Sequence, residues 1–453
     1  MKKIKISFYI ICAVLIILSA PVSGEQESVV KNIIIMISDG CGYNQVEAAG
    51  LYANGKAGEF IFESFPVKCG MSTYSACLGY YPEDTWSSFG FVAVQATDSA
   101  SAATAMSTGK KTYDSAICFD VDRRPIENIL ERAEKRGKAT GVITSVQISH
   151  ATPAGFLAHN QSRDAYAEIA REMIEKSRAD VIMGCGHPLY DADGKTLKED
   201  KTPDYRYVGG QDLWKAVLEG KEFADADGDG KPDSWFIVQS RDEFKKLMEG
   251  DAPKRVLGVA QVFATLQQGR SGDVKAEPFA VPFTETVPTL DEMTTGAINV
   301  LDDDPDGFVL MIEGGAVDWA CHANQTGRMI EEELAFVKAV VTVCEWVEKN
   351  SNWDETLLIV TGDHETGYLT GPGSGAKETG PVWNPIVNNG KGKVPGVEWH
   401  SAGHTNSLVP FYAKGNKHAL DLLSKSANMK DPVRGAYLDN TSIARIVFEL
   451  LGE

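Results

Sequence analysis

Phe308-Val309-Leu310-Met311-Ile312-Glu313-Gly314-Gly315-Ala316-Val317-Asp318-Trp319-Ala320-Cys321-His322 decides the fold class. The unbroken apolar run Phe308 to Ile312 reads as a strand buried on both faces. Gly314 and Gly315 allow a tight turn, and the residues after them read as a helix. On that helix Asp318 and His322, four residues apart, share one face and can bind one metal ion. Glu313 follows the strand, and the glycine turn brings it back near that pair.

The same alternation recurs outward in both directions. Asn32 to Ile37 is an apolar run of buried-strand type, followed by Asp39 between small residues and a helical pattern from Gly42 to Tyr52. Helical patterns cover Ile126 to Arg136 and Arg163 to Lys176, with strands at Gly141 to Ser145 and Ala179 to Met183. Thr289 opens a helix with a Thr-x-x-Glu capping box closed by Glu292. Gly327 to Lys349 reads as a long helix, then Thr356 to Val360 and Leu408 to Tyr412 as strands. The expectation is an α/β fold, a largely parallel central sheet with helices on both faces. Ligands of such sheets bind at the carboxyl ends of the strands. Residues 25–453 read as a single domain, with a polar surface insertion at about 187–235 and a lid-like loop rich in Gly, Pro and Asn at about 371–403.

The chain has 453 residues, 43% of them hydrophobic and 24% charged, a globular balance with ample core. Lys2, Lys3 and Lys5 precede an apolar run from Ile6 to Leu18, and Ala20 to Gly24 supplies small residues for cleavage. Residues 1–24 therefore read as an export signal, too short in its apolar part for a full membrane span. The expected location is periplasmic or extracellular, with no stable membrane insertion after cleavage. Removing three lysines takes the formal charge from −19 to −22. Such a surface repels nucleic acid and anionic lipid. It also repels anionic substrates, so phosphate chemistry would need local cations. Seven cysteines remain beyond Cys12, an odd number, and Cys69 and Cys77 are close enough in sequence to pair across a turn.

Several further segments carry chemistry. Thr97-Asp98-Ser99-Ala100-Ser101-Ala102-Ala103-Thr104-Ala105 sets hydroxyls beside an acid and then a run of good helix formers. Ser99 falls in the first turn, where free N–H groups favour an anion. Asp363-His364 follows the strand Thr356–Val360, and both can ligate only where that strand ends. His404 precedes the strand Leu408–Tyr412, with His400 as its competitor. His150-Ala151-Thr152-Pro153 follows another strand, and Arg163 offers a planar fork for two phosphate oxygens. Asp39, Asp318, His322, Asp363, His364 and His404 make a mixed oxygen and nitrogen set that suits zinc. Glu313, Thr152 and a shared Asp39 are hard oxygen donors that suit magnesium. Separately, Asp225, Asp227, Asp229 and Asp233 occupy positions one, three, five and nine of a candidate structural calcium loop, with Gly230 at six but Phe236 at twelve.

Assembled, these residues resemble the alkaline phosphatase family over essentially the whole chain from Val30 onward. The most specific pieces are Asp98-Ser99-Ala100-Ser101-Ala102, Glu313 through His322, Thr361-Gly362-Asp363-His364-Glu365 and His404-Thr405, in the family's order. The resemblance implies that Ser99 is a nucleophile that becomes phosphoserine and that Arg163 clamps the phosphoryl group. It implies one zinc held by Asp318, His322 and His404, a second by Asp39, Asp363 and His364, and magnesium held by Asp39, Thr152 and Glu313. His150 and Trp319 stand at positions that vary within the family, beside the third metal and the phosphate. The expectation is that an imidazole at 150 weakens magnesium binding there or admits zinc or cobalt in its place, and that Trp319, adding no positive charge, lets phosphate leave faster. The implied activity is hydrolysis of small phosphomonoesters with broad specificity and an alkaline optimum. A homodimer is expected by analogy alone. The alternatives are a phosphodiesterase or sulfatase on the same scaffold, and a metal- or phosphate-binding protein without catalysis. The sulfatase Cys/Ser-x-Pro-x-Arg signature is absent, and keeping both Ser99 and Arg163 argues for catalysis.

Overall fold

Every residue of β1 (Asn32–Ser38) is buried. Its side chains alternate between two cores: Ile33, Ile35 and Ile37 on one face, Ile34 and Met36 on the other. This period of two is what a strand inside a covered sheet requires. The computed structural model describes residues 30–226 and 228–452, so the predicted export signal and Asp227 lie outside the described residues.

The further strands are β2 (Val67–Ser72), β3 (Ala139–Gln147), β4 (Val181–Cys185), β5 (Phe236–Val238), β6 (Val256–Val259), β7 (Phe308–Gly314) and β8 (Thr356–Thr361). They join an 11-stranded sheet, in which β8-β1-β7-β3-β4-β6-β5 is a continuous parallel block. The expected largely parallel sheet is thus present. Beyond β8 the strand Val409–Gly415 runs antiparallel to both β8 and β2. Its beginning therefore lies at the same edge as the carboxyl ends of the parallel strands. That reversal brings His404 to the edge where β1, β7, β3 and β8 end.

Helices Ser99–Thr108 and Ala151–Leu157 contribute to one core, helices Tyr43–Asn54, Leu290–Leu301 and Thr326–Asn350 to the other. The first two pack closely because a Cβ on Gly155 would stand 2.7 Å from that of Ala103. The stripe of small residues after Ser99 is thus a packing surface, and the approach it permits sets Ser99 and Thr152 on one side of the sheet.

Some local expectations shift. The helix expected from Ile126 begins at Ile129, because the Asn128 side chain accepts from the amides of Leu130 and Glu131. Arg163 does not open a helix. Its amide donates to the Ser115 carbonyl oxygen at 2.8 Å, and the helix starts at Tyr166. Cys69 and Cys77 do not pair with each other, and both are free thiols among the described residues.

Glu333 lies buried behind β1 and accepts a 2.6 Å hydrogen bond from the Ser38 hydroxyl. Burial pushes its carboxyl up to about 7 despite that bond. Between the usual carboxylate value and 7 the folded chain binds more protons than the unfolded one, so stability falls as pH rises through this window. The shift corresponds to about 3 kcal/mol at most. Glu333→Gln is expected to remove this loss, raising the urea midpoint at pH 8 but not at pH 4. An equal change at both pH values would refute it.

Candidate active site

Asp98 caps the helix that carries Ser99. Its Oδ1 accepts from the Ser101 amide at 2.9 Å and the Ser101 hydroxyl at 2.8 Å. Its Oδ2 accepts from the Ser115 amide at 3.0 Å and from Arg163 Nη1 at 3.1 Å. One carboxylate thus fixes both the helix start and the guanidinium. Burial disfavours the charge on Arg163, but the Asp98 carboxylate more than restores it. Sequence reading gave Asp98 no role, although an Asp before a helix-forming run is a recognisable N-cap. Asp98→Ala is expected to cost about 1 kcal/mol of stability and to loosen Arg163. Urea unfolding and a calorimetric titration with inorganic phosphate check the two effects, and unchanged phosphate affinity would refute the second.

Asp39 follows β1, and Asp363 and His364 follow β8. These two strands are neighbours in register, Ile37 opposite Thr361. Gly40, at φ 70°, turns the chain after Asp39 and donates its amide to Asp363 Oδ1 at 3.1 Å. A Cβ at Gly40 would strike Asp318 Oδ1 at 2.7 Å. Ligand atoms of Asp39, Asp363 and His364 lie within 4.8 Å of one another, as do those of Asp318, His364 and His404. His322 Nε2 completes the second group, 3.2 Å from Asp318 Oδ2 and 3.0 Å from His404 Nε2. Ser99 Oγ is 3.1 Å from His364 Nε2. His400 lies elsewhere: its Nε2 is 2.7 Å from the Thr370 hydroxyl, and its ring packs on Phe89.

The proton positions follow from the partners. His322 Nδ1 is 2.6 Å from the Ala402 carbonyl oxygen and His404 Nδ1 is 2.8 Å from that of Thr97. A carbonyl oxygen only accepts, so both rings carry their proton on Nδ1 when neutral. Both Nε2 lone pairs then face each other across 3.0 Å, an arrangement that needs a positive charge between them. The hydrogen bond with Asp318 lifts His322 to about 9. Burial opposes ionisation of Asp318, yet His322, His364 and His404 hold its carboxyl well below the usual range.

Glu313, in β7 rather than after it, faces Thr144, Thr152 and Asp39. Asp39 Oδ1, Asp363 Oδ2, Glu313 Oε1, Thr152 Oγ1 and His150 Nδ1 are all buried without a hydrogen-bond partner among the described residues. Orphaned oxygens of this kind are costly in a folded interior. Burial pushes Glu313 up to about 7 and Asp363 to about 6, and burial with the neighbouring carboxylates raises Asp39 strongly. Both donor sets therefore fit bound cations. His150 is neutral, pushed down to about 3 by burial and by the charge of Arg163. Its ring lies 5.7 Å from that of Trp319 and stacks on Tyr166.

The acidic loop is separate. Asp225 accepts from the amides of Gly228 at 2.8 Å and Gly230 at 3.1 Å, and Asp233 accepts from Ala226 at 2.8 Å. Asp229 pairs with Lys231 at 3.1 Å.

A profile of the alkaline phosphatase family matches residues 30–393. Alkaline phosphatase 3 of Bacillus subtilis is 27% identical, the match covering 94% of this chain and 90% of that protein. Alkaline phosphatase of Escherichia coli is 29% identical, with 87% and 82% covered. Among solved structures, alkaline phosphatase from the Antarctic bacterium TAB5 aligns with a TM-score of 0.63 at 25% identity, covering 93% of this chain and 98% of that one. The carboxyl-edge cluster of acids and imidazoles around a helix-borne serine accords with these matches, and the chain belongs to the alkaline phosphatase family.

Proposed function

We propose that the chain hydrolyses phosphate monoesters to an alcohol and inorganic phosphate through a phosphoserine at Ser99. The observation that carries this reading is the Ser99 hydroxyl set 3.1 Å from His364 Nε2, at the junction of two convergent ligand groups. Asp318, His322 and His404 would hold one zinc, and Asp39, Asp363 and His364 the second. Asp39, Thr152 and Glu313 would hold magnesium, zinc or cobalt. When bound, such ions acidify a coordinated hydroxyl or water and neutralise charge on the transferring group.

The chain's own residues supply the rest. Ser99 Oγ forms a bond to phosphorus while the ester P–O bond breaks in line, and the serine proton ends on the departing alcohol. Water then forms the new P–O bond as the Oγ–P bond breaks, and one of its protons goes to the serine oxygen. Arg163, held by Asp98, grips two phosphoryl oxygens. Amides of the first helical turn add positive potential beneath the same group. His322, with 39% of its side chain exposed, marks the open flank through which the alcohol departs. Few contacts to the alcohol are required, which suits broad specificity. Export through residues 1–24 and assembly as a homodimer belong to the same proposal.

The test is hydrolysis of p-nitrophenyl phosphate beside its bis ester. Preference for the monoester by at least tenfold is expected, and a preference for the diester would assign the scaffold to phosphodiester chemistry. No turnover of either would leave a binding protein. His150→Asp would place a hard anionic oxygen beside Glu313 and Thr152. It is expected to tighten magnesium binding on the order of tenfold, and unchanged affinity in a calorimetric titration would refute a role for position 150. Trp319→Lys in the same background reports on phosphate release.

A further inference from the structure

We infer that Thr366 is a positioning residue whose single hydroxyl couples the two candidate cation clusters. The inference rests on the metal-bound reading above. Thr366 is fully buried, and its amide donates to the Gly40 carbonyl oxygen at 3.0 Å. Its strand, Glu365–Thr366, pairs with His404–Thr405, so Thr366 lies opposite His404. Residues i and i+2 of an extended segment share a face, which puts its side chain beside His364.

The hydroxyl has two neighbours and one proton. Thr366 Oγ1 is 2.6 Å from Asp318 Oδ1 and 3.2 Å from His364 Nδ1. An ionised Asp318 can only accept, so the threonine proton goes to it. His364 Nδ1 must then donate to Thr366. This fixes the tautomer and leaves Nε2 bare toward Ser99 at 3.1 Å, Asp363 at 3.2 Å and Asp39 at 3.4 Å. The same bond restrains Asp318, whose other oxygen faces His322 at 3.2 Å. His322 and His404 take their orientation from backbone carbonyls. His364 takes its orientation from a side chain, so one substitution can release it.

Metal-stripped wild type, Thr366→Val and Thr366→Ser are titrated with zinc by calorimetry, with circular dichroism confirming the fold. Valine keeps the β-branched shape and removes the hydroxyl; Thr366→Ala replaces it if the second methyl is not accommodated. The hydroxyl-free variant is expected to bind zinc about 10- to 100-fold more weakly at both clusters. The serine variant should remain near wild type, and saturating zinc should restore most of the lost kcat. Wild-type zinc affinity in the valine or alanine variant, or a serine variant as weak as the valine one, would overturn the coupling. A wild-type chain that takes up no zinc would overturn the metal reading itself, so the two failures are distinguishable.

Discussion

Ser99→Ala is expected to reduce phosphomonoester hydrolysis by on the order of 10³- to 10⁶-fold in kcat, the range in which losing a nucleophile falls. Bound zinc should stay nearly unchanged, because Asp39, Asp363 and His364 keep their mutual geometry without the hydroxyl. The fold should persist, since Ser99 opens a helix whose cap and packing come from Asp98 and the alanines. Rapid acid quench of wild type with labelled phosphate should place the label on Ser99, and the variant should take up none. A variant that retains a tenth of wild-type turnover would show that water attacks the ester directly. The phosphoserine route would then be wrong even if the metals are right.

Chelation is expected to produce the next largest effect, on activity and stability together. Asp39, Asp318, Asp363 and Glu313 are all buried at one sheet edge. Their mutual repulsion and desolvation oppose folding unless positive charge is present. A site loaded at 1,000 times its dissociation constant contributes about 4 kcal/mol. Removing the ions should therefore bring turnover to background and lower the unfolding midpoint markedly, with zinc and then magnesium restoring both. The pH dependence should also invert. In the metal-free chain Asp363 at about 6 and Glu313 at about 7 hold protons longer than in the unfolded chain. Its stability then falls as pH rises from the usual carboxylate range up to about 7. In the loaded chain cations take the place of those protons, and stability should hold into the alkaline range. Activity and midpoint both insensitive to chelator would end the case for a metal-dependent enzyme.

Residues that act through a local pattern were legible in the sequence. Asp318 and His322 share a helix face by spacing alone, and that helix, Ala316–His322, is present. Ser99 sits in the first turn of its helix, as composition implied. Asp363 and His364 ligate together only past a strand end, and β8 stops at Thr361. What escaped was pairwise and distant. Arg163 belongs to a loop because Ser115, remote in sequence, takes its amide. His404 rather than His400 joins the cluster because Glu365–Thr366 pairs with His404–Thr405. Thr366 gave only the faint signal of lying two residues after His364.

The order of apolar runs, glycine turns and helix-forming stretches determined by itself that acids and imidazoles would collect at strand ends, because burial period and turn chemistry are local properties of a chain. Which of them meet, and which nitrogen of each ring is left bare, was decided only by the folded sheet. That outcome depends on strand register, on one reversed strand and on the carbonyls and hydroxyl that take the other protons. Apart from Thr366 beside His364, those partners are separated by tens to hundreds of residues, so no local pattern carries them.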